Sequence, residues 1–185
     1  MSTLERAGKT ALLIVDLQTG VGAHCFDRDG VLARTARLID RARVSSTPVI
    51  FVLHEQPGLE RGTAEWQLAE PLSPMTGETV IMKSYRDVFA DTTLEAALAH
   101  RGVTRLVVAG AQSDYCIRTT TQRAAADGYD VVLVSDCHTT EDAEYGGVRI
   151  AARQIVAHTN LYMSGLRYPG QEFGIAAHNE VELQP

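Results

Sequence analysis

What this chain has little of narrows it first. Its 185 residues include only three cysteines, Cys25, Cys116 and Cys137, an odd number with no close-pair spacing. That pattern excludes a disulfide framework and a cysteine-rich zinc site, so each thiol is judged alone. Basic residues are outnumbered, 17 Lys and Arg against 23 Asp and Glu, for a formal net charge of -6. With a pI near 5.5 the chain offers no attraction to phosphate backbones or anionic lipid, so neither nucleic acid nor a membrane is expected as a partner. No apolar run approaches the ~20 residues of a membrane span. The polar opening MSTLERAGKT lacks the layout of a secretory signal, and the expected location is cytoplasmic. Repeats, low-complexity segments and internal linkers are also missing, so residues 1–185 are expected to form a single domain. At 45% hydrophobic and 22% charged residues its composition is that of an ordinary soluble protein. Such a length buries roughly 70% of the surface of the unfolded chain.

What is present is a rhythm of short buried strands and amphipathic helices. ALLIV, residues 11–15, is a continuous apolar run that ends at Asp16, the pattern of a strand covered on both faces. GVLARTARLIDRAR then has near-helical spacing, and TPVIFVLH is a second buried strand. Residues 55–77 are polar, irregular and rich in Pro and Gly, with at most one helical turn in TAEWQLAEPL; a connection this long is usually functional. ETVIMKS predicts a third strand ending near Lys83. DTTLEAALAHRG predicts a helix capped by Asp91 or Thr92 and stopped by Gly102. VTRLVVAG, CIRTTTQRAAADG and YDVVLVSD follow as strand, helix, strand. AEYGGVRIAARQIVAHT is expected to be a helix whose acidic approach, TTEDAEYGG, suits its dipole, and NLYMS a sixth strand. Six strands alternating with helices imply a three-layer α/β/α arrangement around a mostly parallel sheet, with ligands at the carboxyl ends of the strands.

Three reactive side chains stand at that edge: Asp16 after the first strand, Lys83 at the end of the third, and Cys116 where the fourth strand turns into a helix. A helix N-terminus and a nearby ammonium both favour a thiolate, which places Cys116 for nucleophilic attack. A cysteine in such a position is more often a small buried hydrophobe, so it is the joint appearance of the three that carries the reading.

The segments ALLIVDLQ, VIMKSYRDVF and VVAGAQSDYCIRTTTQRAAADGYDVVLVSDCHTT, in this order and spacing, resemble the isochorismatase-like cysteine hydrolases, a superfamily that includes nicotinamidases and N-carbamoylsarcosine amidases. The resemblance implies a Rossmann-like six-stranded parallel sheet and a catalytic triad of Asp16, Lys83 and Cys116. It also implies an oxyanion hole from the backbone N–H groups of Gln112 and Cys116, with a cis peptide between Ala111 and Gln112. In that scheme Cys116 attacks a carbonyl, Asp16 moves the proton, and water hydrolyses a thioester. Members that cleave a vinyl ether lack the cysteine, so the resemblance implies an amide, lactam or ureido C–N bond of a small molecule. Nicotinamidases carry an Asp-x-His metal pattern where this chain reads Val52, Leu53, His54, so no metal and no cofactor are expected.

By the same resemblance, loops after the first strands build a pocket from Gln18, Phe26, His54, Trp66, Tyr85, Phe89 and Tyr115, although Trp66 and Phe89 could equally seal the core. Residues 54–72 are similar to streptothricin-hydrolase-like members, which open a cyclic amide. The family commonly forms homodimers or homotetramers. Two other classes stay open: a silent binding or scaffold protein on the same fold, and a thiol redox protein, for which Cys-x-x-Cys is missing.

Overall fold

The computed structural model describes residues 2–4 and 8–184. Along the chain run β1 (Lys9–Val15), α1 (Thr19–Gly22), α2 (Arg28–Val44), β2 (Val49–His54), β3 (Thr79–Lys83), α3 (Leu94–Arg101) and β4 (Val103–Ala111). A π-helical turn (Ser113–Ile117) leads into α4 (Arg118–Ala126). After it come β5 (Asp130–Thr139), β6 (Ala143–Tyr145), β7 (Val148–Ile150), α5 (Ala152–Gly165) and β8 (Phe173–Ala176).

Six strands form one sheet in the order β3-β2-β1-β4-β5-β8, every neighbour parallel. β1 takes an inner place because its side chains are apolar on both faces. Leu12 and Ile14 point into one core with Val31, Leu38 and Ile39 of α2. Ala11, Leu13 and Val15 point into the other with Leu94 and Leu98 of α3, Ala124 of α4 and Met163 of α5. Each fully buried Leu or Ile contributes roughly 1.5–3 kcal/mol relative to exposure, which is why these runs choose the middle of the sheet. Gly102 stops α3 in the left-handed region at φ 69°, as its sequence predicts. No helix among the described residues is long and apolar enough to cross a membrane.

Three local expectations are corrected. Residues 143–150 are not helical but a β6–β7 hairpin, turned at Gly146 and Gly147 with φ 59° and 78°. Two successive positive φ values make a tight hairpin turn that Gly-Gly permits. The helix starts only at Ala152, whose N–H is accepted by Asp142 Oδ1 at 2.7 Å. NLYMS continues that helix, because Thr159 and Met163 keep a buried stripe at helical spacing, and the sixth strand is β8. TAEWQLAEPL forms no helical turn. Residues 65–69 instead lie along residues 17–20, with Thr19 N–H donating to Gln67 O (2.9 Å), Gly20 N–H to Glu65 O (2.8 Å) and Ala69 N–H to Leu17 O (2.9 Å). The long connection thus packs on the chain's own first core through Leu59, Trp66, Ala69 and Leu72.

Candidate active site

β1 has β2 on one side and β4 on the other, so the chain leaves it in opposite directions and a crevice opens beyond these strand ends. Asp16 is the first residue past β1, held at φ 51°, a left-handed conformation that Asp tolerates better than most side chains. β4 runs against β1 to the end because of Gly110, the register partner of Val15. Gly110 has φ 138°, and a Cβ there would fall 2.0 Å from Val15 O, so only glycine fits. The next peptide, Ala111–Gln112, is cis, and the π-helical turn that follows delivers Cys116 to the crevice.

Lys83 arrives from β3. Its Nζ lies 2.6 Å from Asp16 Oδ2, 3.3 Å from Cys116 Sγ and 3.0 Å from His54 Nδ1. The ammonium hydrogen-bonds Cys116 Sγ and His54 Nδ1 and pairs with the Asp16 carboxylate by charge. His54 Nε2 lies 3.1 Å from Gln56 Oε1, an acceptor, which assigns the ring proton to Nε2 and leaves Nδ1 free to accept from Lys83. The Lys83 and Asp16 side chains are 0% and 1% exposed, so this ion pair is shielded from solvent.

Burial raises the proton affinity of Asp16, and the Lys83 charge opposes that rise. The Cys116 thiol is pushed up to about 12, first by burial and then by the Asp16 charge, against the pull of Lys83. Burial and the Lys83 charge lower that of His54. These directions favour a neutral thiol and a neutral imidazole beside the Asp16–Lys83 pair. Desolvation and the carboxylate thus act against the helix end and the ammonium, which favour a thiolate.

Cys116 borders a cavity of about 380 Å³, whose wall also includes Asp16, His54, Gln112 and Tyr115. Other residues expected around it stand elsewhere. Gln18 is fully buried and works as a clamp: its Nε2 donates to His54 O (3.0 Å) and Trp66 O (2.8 Å), while its Oε1 accepts from His54 N–H (2.8 Å). Trp66 belongs to the first core, and Phe89 packs on Tyr129 at 5.8 Å between ring centroids, so both seal the interior. Phe26 and Tyr85 are exposed, outside the cavity wall. The wall gains Gly20, Val21, Gln56, Arg86 and Glu141, which sequence reasoning passed over. The position of Glu141 directly after HTT at a strand end was the signal available for it.

Among the described residues one cluster, Asp136, Cys137 and His178, gathers three potential metal ligands. Its carboxylate is already engaged, with His178 Nδ1 at 2.6 Å and Arg34 Nε at 3.8 Å, and a guanidinium there disfavours a cation. Cys25 is buried near Gln112, whose Nε2 lies 3.9 Å from its Sγ. His138 is sealed between Ser113 Oγ (2.7 Å) and Asn160 Oδ1 (3.0 Å), a bridge from the Cys116 turn to α5.

The sheet, its switch point and the buried acid, lysine and thiol define a class of parallel α/β proteins. Within it the chain belongs to the isochorismatase family: residues 10–161 match the isochorismatase domain. It is 38% identical over 138 residues to a streptothricin hydrolase of Streptomyces noursei, covering 71% of this chain and 55% of that protein. A maleamate amidohydrolase of Pseudomonas putida is 34% identical over 153 residues, 70% of this chain and 71% of the relative. The crystal structure of an isochorismatase from Pseudomonas putida KT2440 superposes with a TM-score of 0.84 at 29% identity, covering 95% of this chain and 92% of that one. The chain spans about half the length of the streptothricin hydrolases it matches.

Proposed function

We propose that the protein is a cysteine-dependent amidohydrolase that cleaves a C–N bond of a small molecule through a thioester. The observation that carries this reading is the convergence on Lys83 Nζ of Asp16 Oδ2, Cys116 Sγ and His54 Nδ1 beside one cavity. The names of two relatives, a streptothricin hydrolase and a maleamate amidohydrolase, support the bond type.

A carbonyl entering the cavity meets a thiol that is neutral at rest. As Sγ attacks, the S–H proton passes to Asp16, whose raised proton affinity narrows the gap between acid and base. The oxyanion is received by the Gln112 and Cys116 amides, at the start of a helix where N–H groups lack intrahelical acceptors. Collapse breaks the C–N bond, and the leaving amine takes the proton from Asp16. Water then attacks the thioester, gives its proton to Asp16, and the acid departs as the thiol regains that proton. Throughout, Lys83 faces whichever of Asp16 and Cys116 is negative. A thiol redox role lacks a resolving partner: all three cysteines are unpaired and the sequence has no Cys-x-x-Cys.

The test is ammonia or amine release from a panel of primary amides, lactams and ureido acids, with hydroxylamine added to trap a thioester as hydroxamate. Wild type should turn over at least one compound and Cys116→Ala none. Undiminished release by pure, folded Cys116→Ala would refute the mechanism.

A further inference from the structure

The cavity holds two charged side chains that this chemistry leaves unused. Arg86 and Glu141 reach it from the loops after β3 and β5, strands that lie on opposite sides of β1 and β4. Neither has an oppositely charged partner among the described residues. Both are carried on anchored backbone. The buried Thr120 hydroxyl of α4 accepts Val88 N–H at 3.2 Å and donates to Arg86 O at 3.5 Å, and Asp87, next in sequence, meets Arg123 at 3.5 Å. The Arg86 guanidinium lies over the Tyr115 ring, 3.9 Å from its centroid, and so is held at the cavity wall. On the other flank Thr140, immediately before Glu141, accepts Phe26 N–H through its carbonyl at 2.9 Å and donates its hydroxyl to Asp114 Oδ1 at 2.6 Å.

The pocket is therefore dipolar. Asp16, on its wall, is paired with Lys83 behind it, while an exposed cation stacked on Tyr115 and a half-buried anion come to it from separate loops. A guanidinium already oriented on an aromatic ring binds a carboxylate with little further ordering, and a carboxylate binds an ammonium in the same way. A neutral ligand of equal size leaves both charges to be desolvated without compensation. We infer that the site selects small dipolar amides, whose carboxylate meets Arg86 and whose ammonium meets Glu141, with the amide between them over Cys116. The position of the scissile group rests on the amidohydrolase reading; the charge selection does not.

The experiment uses four amides built on one chain length: β-alanylglycine (dipolar), butanoylglycine (anionic), β-alanine ethylamide (cationic) and N-ethylbutanamide (neutral). N-(2-aminoethyl)succinamic acid is added as the charge-reversed dipolar form. Binding is measured by calorimetry on Cys116→Ala, and amine release on wild type. One of the two dipolar forms should bind at least about tenfold more tightly than any singly charged or neutral amide. Arg86→Gln on that background should erase the advantage conferred by the carboxylate, and Glu141→Gln that conferred by the ammonium, with melting temperatures showing that both variants fold. Equal or undetectable binding of all the amides, or a ranking unchanged by both substitutions, overturns the inference. Charge-selective binding without any Cys116-dependent release overturns only the amidohydrolase reading. Release with no charge preference overturns only this one.

Discussion

Lys83 and His54 are register partners at the ends of β3 and β2, and their side chains meet again above the sheet, Nζ to Nδ1 at 3.0 Å. The strand pairing thus aims the ammonium. With one hydrogen held by the His54 imidazole, Lys83 Nζ stays between Cys116 Sγ, to which it donates, and the Asp16 carboxylate, with which it forms an ion pair. His54→Leu should lower kcat by about five- to tenfold, the worth of one such hydrogen bond. His54→Asn, which keeps an acceptor oxygen, should recover most of that loss. Steady-state kinetics on the two variants make the comparison, and equal losses in both would remove His54 from this role.

Removing the cation exposes what burial of Asp16 costs. Lys83→Met leaves a sealed carboxylate with no ammonium, a change that destabilises by about 3–5 kcal/mol at neutral pH. The sign with pH follows from the direction of the shift. Asp16 has its proton affinity raised by burial, and without Lys83 it is raised further. A group raised in the folded state favours folding at low pH, and that contribution is lost as pH climbs past the ordinary value of 3.8 and through the folded one. Urea denaturation of wild type and Lys83→Met should show a small difference near pH 4 that widens toward pH 7.5. A difference independent of pH would place the defect in packing instead.

Gln18 is the hinge pin between the end of β1, the end of β2 and the long connection. Gln18→Leu fits the volume but strands two carbonyls, His54 O and Trp66 O, and the His54 N–H. The expected loss is about 2–4 kcal/mol in urea denaturation, since orphaned buried groups cost more than the bond itself contributed. Because His54 loses its backbone clamp, kcat should fall as well. Unchanged stability would mean that water replaces the amide at all three contacts.

How far the sequence reaches is visible in the same residues. Strands buried on both faces read well, as ALLIV does, because a five-residue apolar run is short for a helix and its apolar side chains suit both faces of a covered sheet. The order of Asp16, Lys83 and Cys116 along the chain placed them at one sheet edge, and the structure brings them within hydrogen-bonding reach. Two kinds of information were lost. Apolar spacing ran on through VRIAARQIVAHT and hid the Gly-Gly hairpin, although that dipeptide is itself a turn signal. The pocket wall depended on how residues 55–77 fold back onto residues 17–20, a long-range pairing with no local pattern, so Gln18, expected to line the pocket, lies in the interior, and Trp66, left between pocket and core, joins the core. Arg86 and Glu141 were missed because a charged loop residue looks the same in sequence whether it faces solvent or a cavity.

The protonation state of Cys116 gives the sharpest test of the proposed order of events. Burial and the Asp16 charge push the thiol up to about 12, so resting wild type should react with iodoacetamide at pH 7.5 more slowly than free cysteine. Asp16→Asn removes the opposing negative charge and leaves Lys83 Nζ, 3.3 Å from Sγ, without its carboxylate partner. Both changes favour thiolate, and alkylation should quicken, by about three- to fourfold for each unit by which the thiol pKa falls, since a tenfold gain in thiolate is partly offset by its lower nucleophilicity. The same substitution removes the proposed proton carrier and should abolish turnover. Reactivity rising while catalysis disappears is the signature of a carboxylate that suppresses the thiolate at rest and accepts its proton only during attack. If Asp16→Asn slowed alkylation instead, Asp16 would be generating thiolate before substrate arrives, and the order of proton transfer and attack would have to be reversed.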